Sequence, residues 1–205
     1  MKTKKIVAVV AIFVMLLSLM GCGESEAFKK NSDALVDAAK KHGAEELTNG
    51  KTITDYPNGV YDTSNKKENI EIVKNVFSSV SYIDVDDIKN ATVFVEYYND
   101  TNHIQSIICD FSSADISEDF FNASIANTEN SIYGIDEFVS VQEDNAYYVG
   151  FNYAGREVYY IIAYDGTALT YMEMIGTNQS FTSEIKNFIS DFTDATGYKD
   201  PTELV

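Results

Sequence analysis

Two histidines and two cysteines carry most of the chemistry open to this 205-residue chain, and no His–Cys pair is placed to react. His103 and Cys109 lie six residues apart on one predicted strand. At about 3.3 Å rise per residue they stand roughly 20 Å apart, beyond the hydrogen-bond reach that a thiol and its base need. His42 falls at the end of a predicted helix, where an imidazolium suits the helix dipole. Cys109 sits among Ile107, Ile108 and Phe111 and reads as a small core residue.

The acids offer candidates without a signature. Asp84-x-Asp86-Asp87 begins like a calcium loop, but Ile88 and Lys89 stand where a further oxygen ligand and a glycine are required. These aspartates read as turn or cap residues. Asp115, Glu118 and Asp119 fall in a predicted first helical turn, where acids favour the dipole. The chain has no G-x-S-x-G elbow, P-loop, G-x-G-x-x-G, H-E-x-x-H or C-x-x-C. No cofactor and no metal is indicated, and no residue is assigned a catalytic role. Carboxylate pairs of the glycosidase kind are chemically open, but nothing singles out a pair.

A binding face is easier to place. Alternation along residues 146–175 puts Tyr148, Gly150, Asn152, Glu157, Tyr159, Ile161, Thr170, Met172 and Met174 on one side of a sheet. Tyr148, Glu157, Tyr159 and Met172 are the candidate binding residues, as a Tyr/Met surface suits a small ligand or peptide. The competing reading is a covering helix, with the tyrosines chosen as strand formers. The opposite side (Tyr147, Val149, Phe151, Val158, Tyr160, Ile162, Leu169, Tyr171) is apolar and must be core.

The elements that would position these residues follow from periodicity. Helices are expected over 27–42, 66–80, 113–126 and 181–192, the last capped by Ser180 with Phe181, Ile185, Phe188 and Phe192 on one stripe. Strands are expected over 91–98 and 103–111, then as a meander over 137–142, 146–153, 157–164 and 167–175. Ala154-Gly155 and Asp165-Gly166 supply two-residue turns. A loop at 165–166 would set Ile162 opposite Leu169. Residues 44–62 read as irregular, with a short strand near 51–54 and a turn at Pro57-Asn58-Gly59. The fold class is α+β: an antiparallel sheet, meander plus hairpin, packed with about four helices in a single domain over 27–205, its tail frayed after about 197.

Residues 1–22 say where such a domain works. Lys2, Lys4 and Lys5 precede an apolar run from Ile6 to Leu17, and Leu19-Met20-Gly21-Cys22 follows. The run is shorter than the roughly 20 residues a membrane-spanning helix needs, and the layout is that of a secretory signal. Leu-x-Gly-Cys resembles the lipobox of bacterial lipoprotein precursors. The resemblance covers residues 1–22 only. It implies cleavage between Gly21 and Cys22, a diacylglyceryl group (palmitate-type chains) on the Cys22 sulfur, and a 22–26 tether. Two acyl chains give stable anchoring where one gives reversible binding. Gly23 is not the aspartate that retains Gram-negative lipoproteins at the inner membrane. The Lys, Asn, Ile and Tyr usage suggests an AT-rich genome and favours a Gram-positive-like surface. With Cys22 lipidated, Cys109 has no disulfide partner.

The full chain carries −17, and losing the three lysines of residues 1–21, which include no acid, takes it to −20. That charge disfavours nucleic acid and anionic lipid surfaces. The sequence therefore favours a membrane-anchored extracytoplasmic lipoprotein acting as a non-enzymatic binding or interaction module, its partner a small ligand, peptide or envelope protein. The alternatives are an envelope hydrolase with carboxylate chemistry and a structural subunit of an envelope complex. If Cys22 carries the anchor, Cys22→Ala releases the protein into the medium or leaves an unprocessed precursor. A mature-sized variant that still sediments with membranes would refute the lipobox reading.

Overall fold

The computed structural model describes residues 24–47, 58–62, 69–73, 85–99, 102–135 and 138–205. Cys22 and the leader lie outside them, as does the strand expected near 51–54. Of the helix expected over 66–80, residues 69–73 are described and helical. Among the described residues no helix is long and apolar enough to cross a membrane.

One mixed sheet of eight strands organises the described chain: β1 (Glu45–Glu46), β2 (Asn58–Tyr61), β3 (Ile88–Asn99), β4 (Asn102–Phe111), β5 (Phe138–Gln142), β6 (Ala146–Tyr153), β7 (Arg156–Asp165) and β8 (Ala168–Gly176). Their spatial order is β1-β2-β3-β4-β8-β7-β6-β5, antiparallel except for the β1–β2 pair. The α+β expectation holds, and helices cover both faces. Helices α1 (Glu26–Lys41) and α3 (Gln179–Thr196) pack on one face, and α2 (Ala114–Ser131) packs on the other.

The cores follow the strand alternation. Tyr147, Val149, Phe151, Val158, Tyr160, Ile162, Leu169 and Tyr171 join Phe120, Phe121 and Ile125 of α2. Tyr148, Tyr159, Ile161, Met172 and Met174 join Phe28 and Leu35 of α1 and the Phe181, Ile185, Phe188, Phe192 stripe of α3. Each such side chain contributes about 1.5–3 kcal/mol by leaving water.

Local signals that the sequence shows were mostly read correctly. The β6–β7 turn has positive φ at both Ala154 and Gly155, as a type I′ turn requires. It sets Phe151 opposite Val158 and Tyr147 opposite Ile162, as expected. The β7–β8 hairpin differs by two residues. Asp165 pairs with Ala168, so Gly166-Thr167 form the turn and Ile162 faces Tyr171 rather than Leu169. Glycine at the first central position with positive φ is what a type II′ turn calls for. A two-residue shift keeps every side chain on its expected face.

Three other expectations are corrected. The α3 cap is Asn178, whose side chain accepts from the Ser180 N–H, not Ser180 itself. Asn58-Gly59 belong to strand β2 rather than to a turn, because Gly59 lets the Leu47 side chain press onto the backbone: a Cβ there would lie 2.5 Å from Leu47 Cδ1. The tail is not frayed. Asp200 caps a 3-10 turn over Pro201–Leu204, with Pro201 buried and the Asp200 side chain accepting from Thr202 N–H.

That turn occupies the space over Gly150. A Cβ at Gly150 would meet Pro201 O and Val205 Cγ2, each at 2.7 Å. Gly150→Ala should therefore lift the C-terminal turn and cost about 1–3 kcal/mol. Deleting residues 201–205 should relieve most of that cost, giving a coupling of about 1 kcal/mol or more in a double-mutant cycle read by urea denaturation. Additive effects would show that the turn does not rest on Gly150.

Candidate functional site

The four candidate binding residues do not form an open platform. Tyr148 is 2% exposed, and Tyr159 and Met172 are fully buried under the helical layer. Only Glu157 reaches a cleft, one of about 390 Å³ lined also by Asn152, Thr177 and Lys186. Its carboxylate has local work. Oε2 accepts from Tyr159 OH at 2.5 Å and pairs with Lys186 Nζ of α3 at 2.7 Å. Burial acts to raise the Glu157 pKa, but the Lys186 and Tyr159 bonds outweigh it and hold it below the ordinary value. Burial, reinforced by Glu157, drives the Tyr159 hydroxyl far up. Glu157 thus satisfies a buried phenol and pins α3 to the sheet.

Cys109 is the small core residue its apolar neighbours suggest. Cys109 is fully buried in β4, and desolvation pushes its thiol strongly upward, away from the thiolate that reacts. His103 pairs instead with Glu173, Nε2 to Oε1 at 3.7 Å, and Tyr171 OH donates to Glu173 Oε2 at 3.1 Å. Asp115 lies in the first turn of α2, behind the Ser113 cap, as expected for a dipole-favouring acid.

Two features escaped the sequence reading. The first is a gathering of His42, Glu96 and Glu184, whose ligand-type atoms lie within 4.8 Å of one another. They come from the end of α1, the middle of β3 and the exposed side of α3, so no linear spacing announces them. The second is the free edge at β5, the last strand in the sheet order. Among the described residues the exposed large apolar side chains are Tyr133, Phe138, Val139, Tyr153 and Val205. Phe138 and Val139 are on β5, and Tyr133 lies in the turn leading into it. Tyr153 ends β6, two residues past the partner of Phe138, and Val205 sits over Gly150, the partner of Val139. Phe138 and Val139 are neighbours on β5 and so face opposite sides of the sheet at this edge. Phe138 and Val139 are plain in the sequence, but only the sheet order shows that their strand is the last among the described strands.

No family model matches the chain, and no curated protein matches it. A search of solved structures finds the extracellular domain of PknH from Mycobacterium tuberculosis at a TM-score of 0.38 and 10% identity, covering 62% of this chain and 70% of that one.

The Glu173 cluster gives a pH signature. Burial acts to raise its pKa, yet the His103 bond and charge, with the Tyr171 and Tyr160 hydroxyls, bring it below the ordinary value. A carboxyl whose folded pKa is depressed adds stability above its unfolded pKa, about 4.3, and loses it as pH falls through the folded value. Glu173→Gln should therefore flatten the acid limb of stability. Urea midpoints of wild type and variant should converge as pH falls below about 4. A constant gap across pH 3–6 would show that this carboxylate is not coupled to its neighbours.

Proposed function

We propose that the chain is a lipid-anchored, extracytoplasmic, non-enzymatic interaction module that docks an extended partner segment on the β5 edge. The carrying observation is that Phe138 and Val139, two of the large apolar side chains exposed among the described residues, lie on β5, the last strand in the order of the described sheet. Such an edge offers a row of backbone donors and acceptors, and an added strand gains main-chain hydrogen bonds plus side-chain contacts. Both sheet faces are covered, which leaves edges and rims for recognition.

The charge of the edge defines its partner. Asp136-Glu137 precede Phe138-Val139-Ser140-Val141-Gln142, and Glu143-Asp144 follow. A strand with a short apolar centre and basic residues at both ends complements this pattern.

The lipobox-like residues supply the membrane side of the proposal. Helix α1 begins at Glu26, and Ser25 is already fixed: its Oγ donates to Asp110 Oδ1 at 3.1 Å and accepts from the Phe28 N–H at 3.2 Å. Four residues from Cys22 to Glu26 reach at most about 14 Å. A lipidated Cys22 would hold the body against the bilayer, with its partners in the same narrow layer.

Fluorescence anisotropy with two synthetic peptides tests the docking edge. A peptide of sequence KKTVTVTKK should bind at least about tenfold more tightly than EETVTVTEE, and added salt should weaken it. Val139→Pro and Ser140→Pro bracket the two backbone orientations, so one of them removes an outward N–H without breaking the ladder to β6. That variant should stay folded and lose binding. Equal binding of both peptides, or binding that survives both prolines, would overturn the proposal. A peptide-free dimer in sedimentation would reassign the edge to a second copy of the chain.

A further inference from the structure

The cluster of His42, Glu96 and Glu184 lies away from the β5 edge and has the chemistry of a metal site. His42 caps the C-terminal end of α1, its backbone N–H bonded to Ala38 O while the next N–H, of Gly43, bonds to Lys40 O. The ring is held between two phenylalanines, 6.4 Å from Phe94 at 77° and 5.9 Å from Phe188 at 59°. This packing directs Nε2 at Glu96 Oε2, 3.0 Å away, with side-chain exposures of only 9% and 14%. Glu184 approaches from α3 and lines an open cleft of about 350 Å³ together with His42.

We infer that His42 Nε2 and one carboxylate oxygen each from Glu96 and Glu184 bind a divalent cation of the zinc class. Three arguments converge. Zinc holds nitrogen and oxygen ligands at about 2.0–2.2 Å, which sets neighbouring ligand atoms of a tetrahedron roughly 3.3 Å apart. The His42–Glu96 separation is already of that size, and all three donors fit within 4.8 Å. Glu184 is exposed, so a change of rotamer brings its oxygen closer without disturbing the core. The donor set itself selects the ion. An imidazole with two carboxylates suits zinc and its transition-metal neighbours, whereas calcium and magnesium favour all-oxygen sites. The site also stands at the negative end of the α1 dipole, in a chain of net charge −17. The nearby cation, Lys41, is engaged by an ion pair with Asp191.

Three protein ligands leave a fourth tetrahedral position for water from the cleft. The ion would join the end of α1, the middle of β3 and the exposed side of α3. Its binding therefore stabilises the packing of both helices on that face.

Isothermal titration of the detergent-solubilised full-length chain with zinc chloride, read alongside thermal unfolding, tests the site. One equivalent should bind with a rise in Tm, and magnesium chloride at the same concentration should produce neither. Glu184→Gln alters an exposed side chain, so it should keep the metal-free Tm and lose at least about tenfold in zinc affinity. His42→Asn should abolish stoichiometric binding, and its own metal-free Tm shows whether it folds. Cobalt(II) loaded in place of zinc should show visible ligand-field bands that Glu184→Gln alters. Absence of stoichiometric zinc, or zinc binding unchanged in Glu184→Gln, would overturn the assignment.

Discussion

The structure depends on the seam between β4 and β8. Eight consecutive antiparallel pairs, from His103–Ile175 to Asp110–Ala168, join the β3–β4 hairpin to the meander. The partners are about sixty residues apart in the chain, so this pairing must overcome a large loop-closure cost before it stabilises anything. Once formed it makes one sheet with two apolar faces, and each face has to be covered. Asp110 closes one end of the seam. It is 1% exposed and accepts from Ser25 Oγ at 3.1 Å and Thr167 Oγ1 at 2.5 Å. One buried carboxylate thereby ties the start of α1 and the β7–β8 turn to the central strand. The entry of the chain into the fold, and with it the reach of any anchor at Cys22, is fixed by the seam.

With both faces covered by helices, the edges of the sheet are what the proposed recognition has to use. Several buried polar groups on the faces are occupied with internal partners: Tyr159 by Glu157, Tyr171 by Glu173, and Asn31 by Thr170 and Tyr198. A ligand reaching them would have to displace α1 or α3 and the apolar burial those helices provide. The β5 edge and the His42 cleft need no such rearrangement. Both are places where negative charge meets an organised surface, and both suit positively charged partners in a strongly acidic protein.

Much of this was legible because it is local. Alternation placed both meander faces correctly, and Ala154-Gly155 fixed the β6–β7 register to the residue. Asp165-Gly166 failed by two positions because the glycine, not the aspartate, leads the turn. The same alternation could not say whether the Tyr148–Met172 face is open, since that depends on α1 and α3 packing from opposite ends of the sequence. Gly150 marks a close approach on that face, and the group that approaches is the C-terminal turn. Asp200-Pro201 carried a readable capping signal for that turn, an aspartate before a proline at the first helical position. His42, Glu96 and Glu184 carried none, because three separate elements bring them together.

An exposed apolar edge strand ordinarily invites copies of the same protein to pair, and lysines or prolines are the usual defence. Here the defence is acidic. Acids flank β5 in the sequence on both sides, Asp136-Glu137 before it and Glu143-Asp144 after it, so pairing two copies would bring like charges together. Like charges directly across a ladder oppose pairing, and the net charge of each chain adds a longer-range repulsion that salt screens. The same acids attract a strand of opposite charge. On the proposed reading, one arrangement of residues would both suppress self-association and select the partner, and it could do so only while the apolar centre between the acids stays exposed.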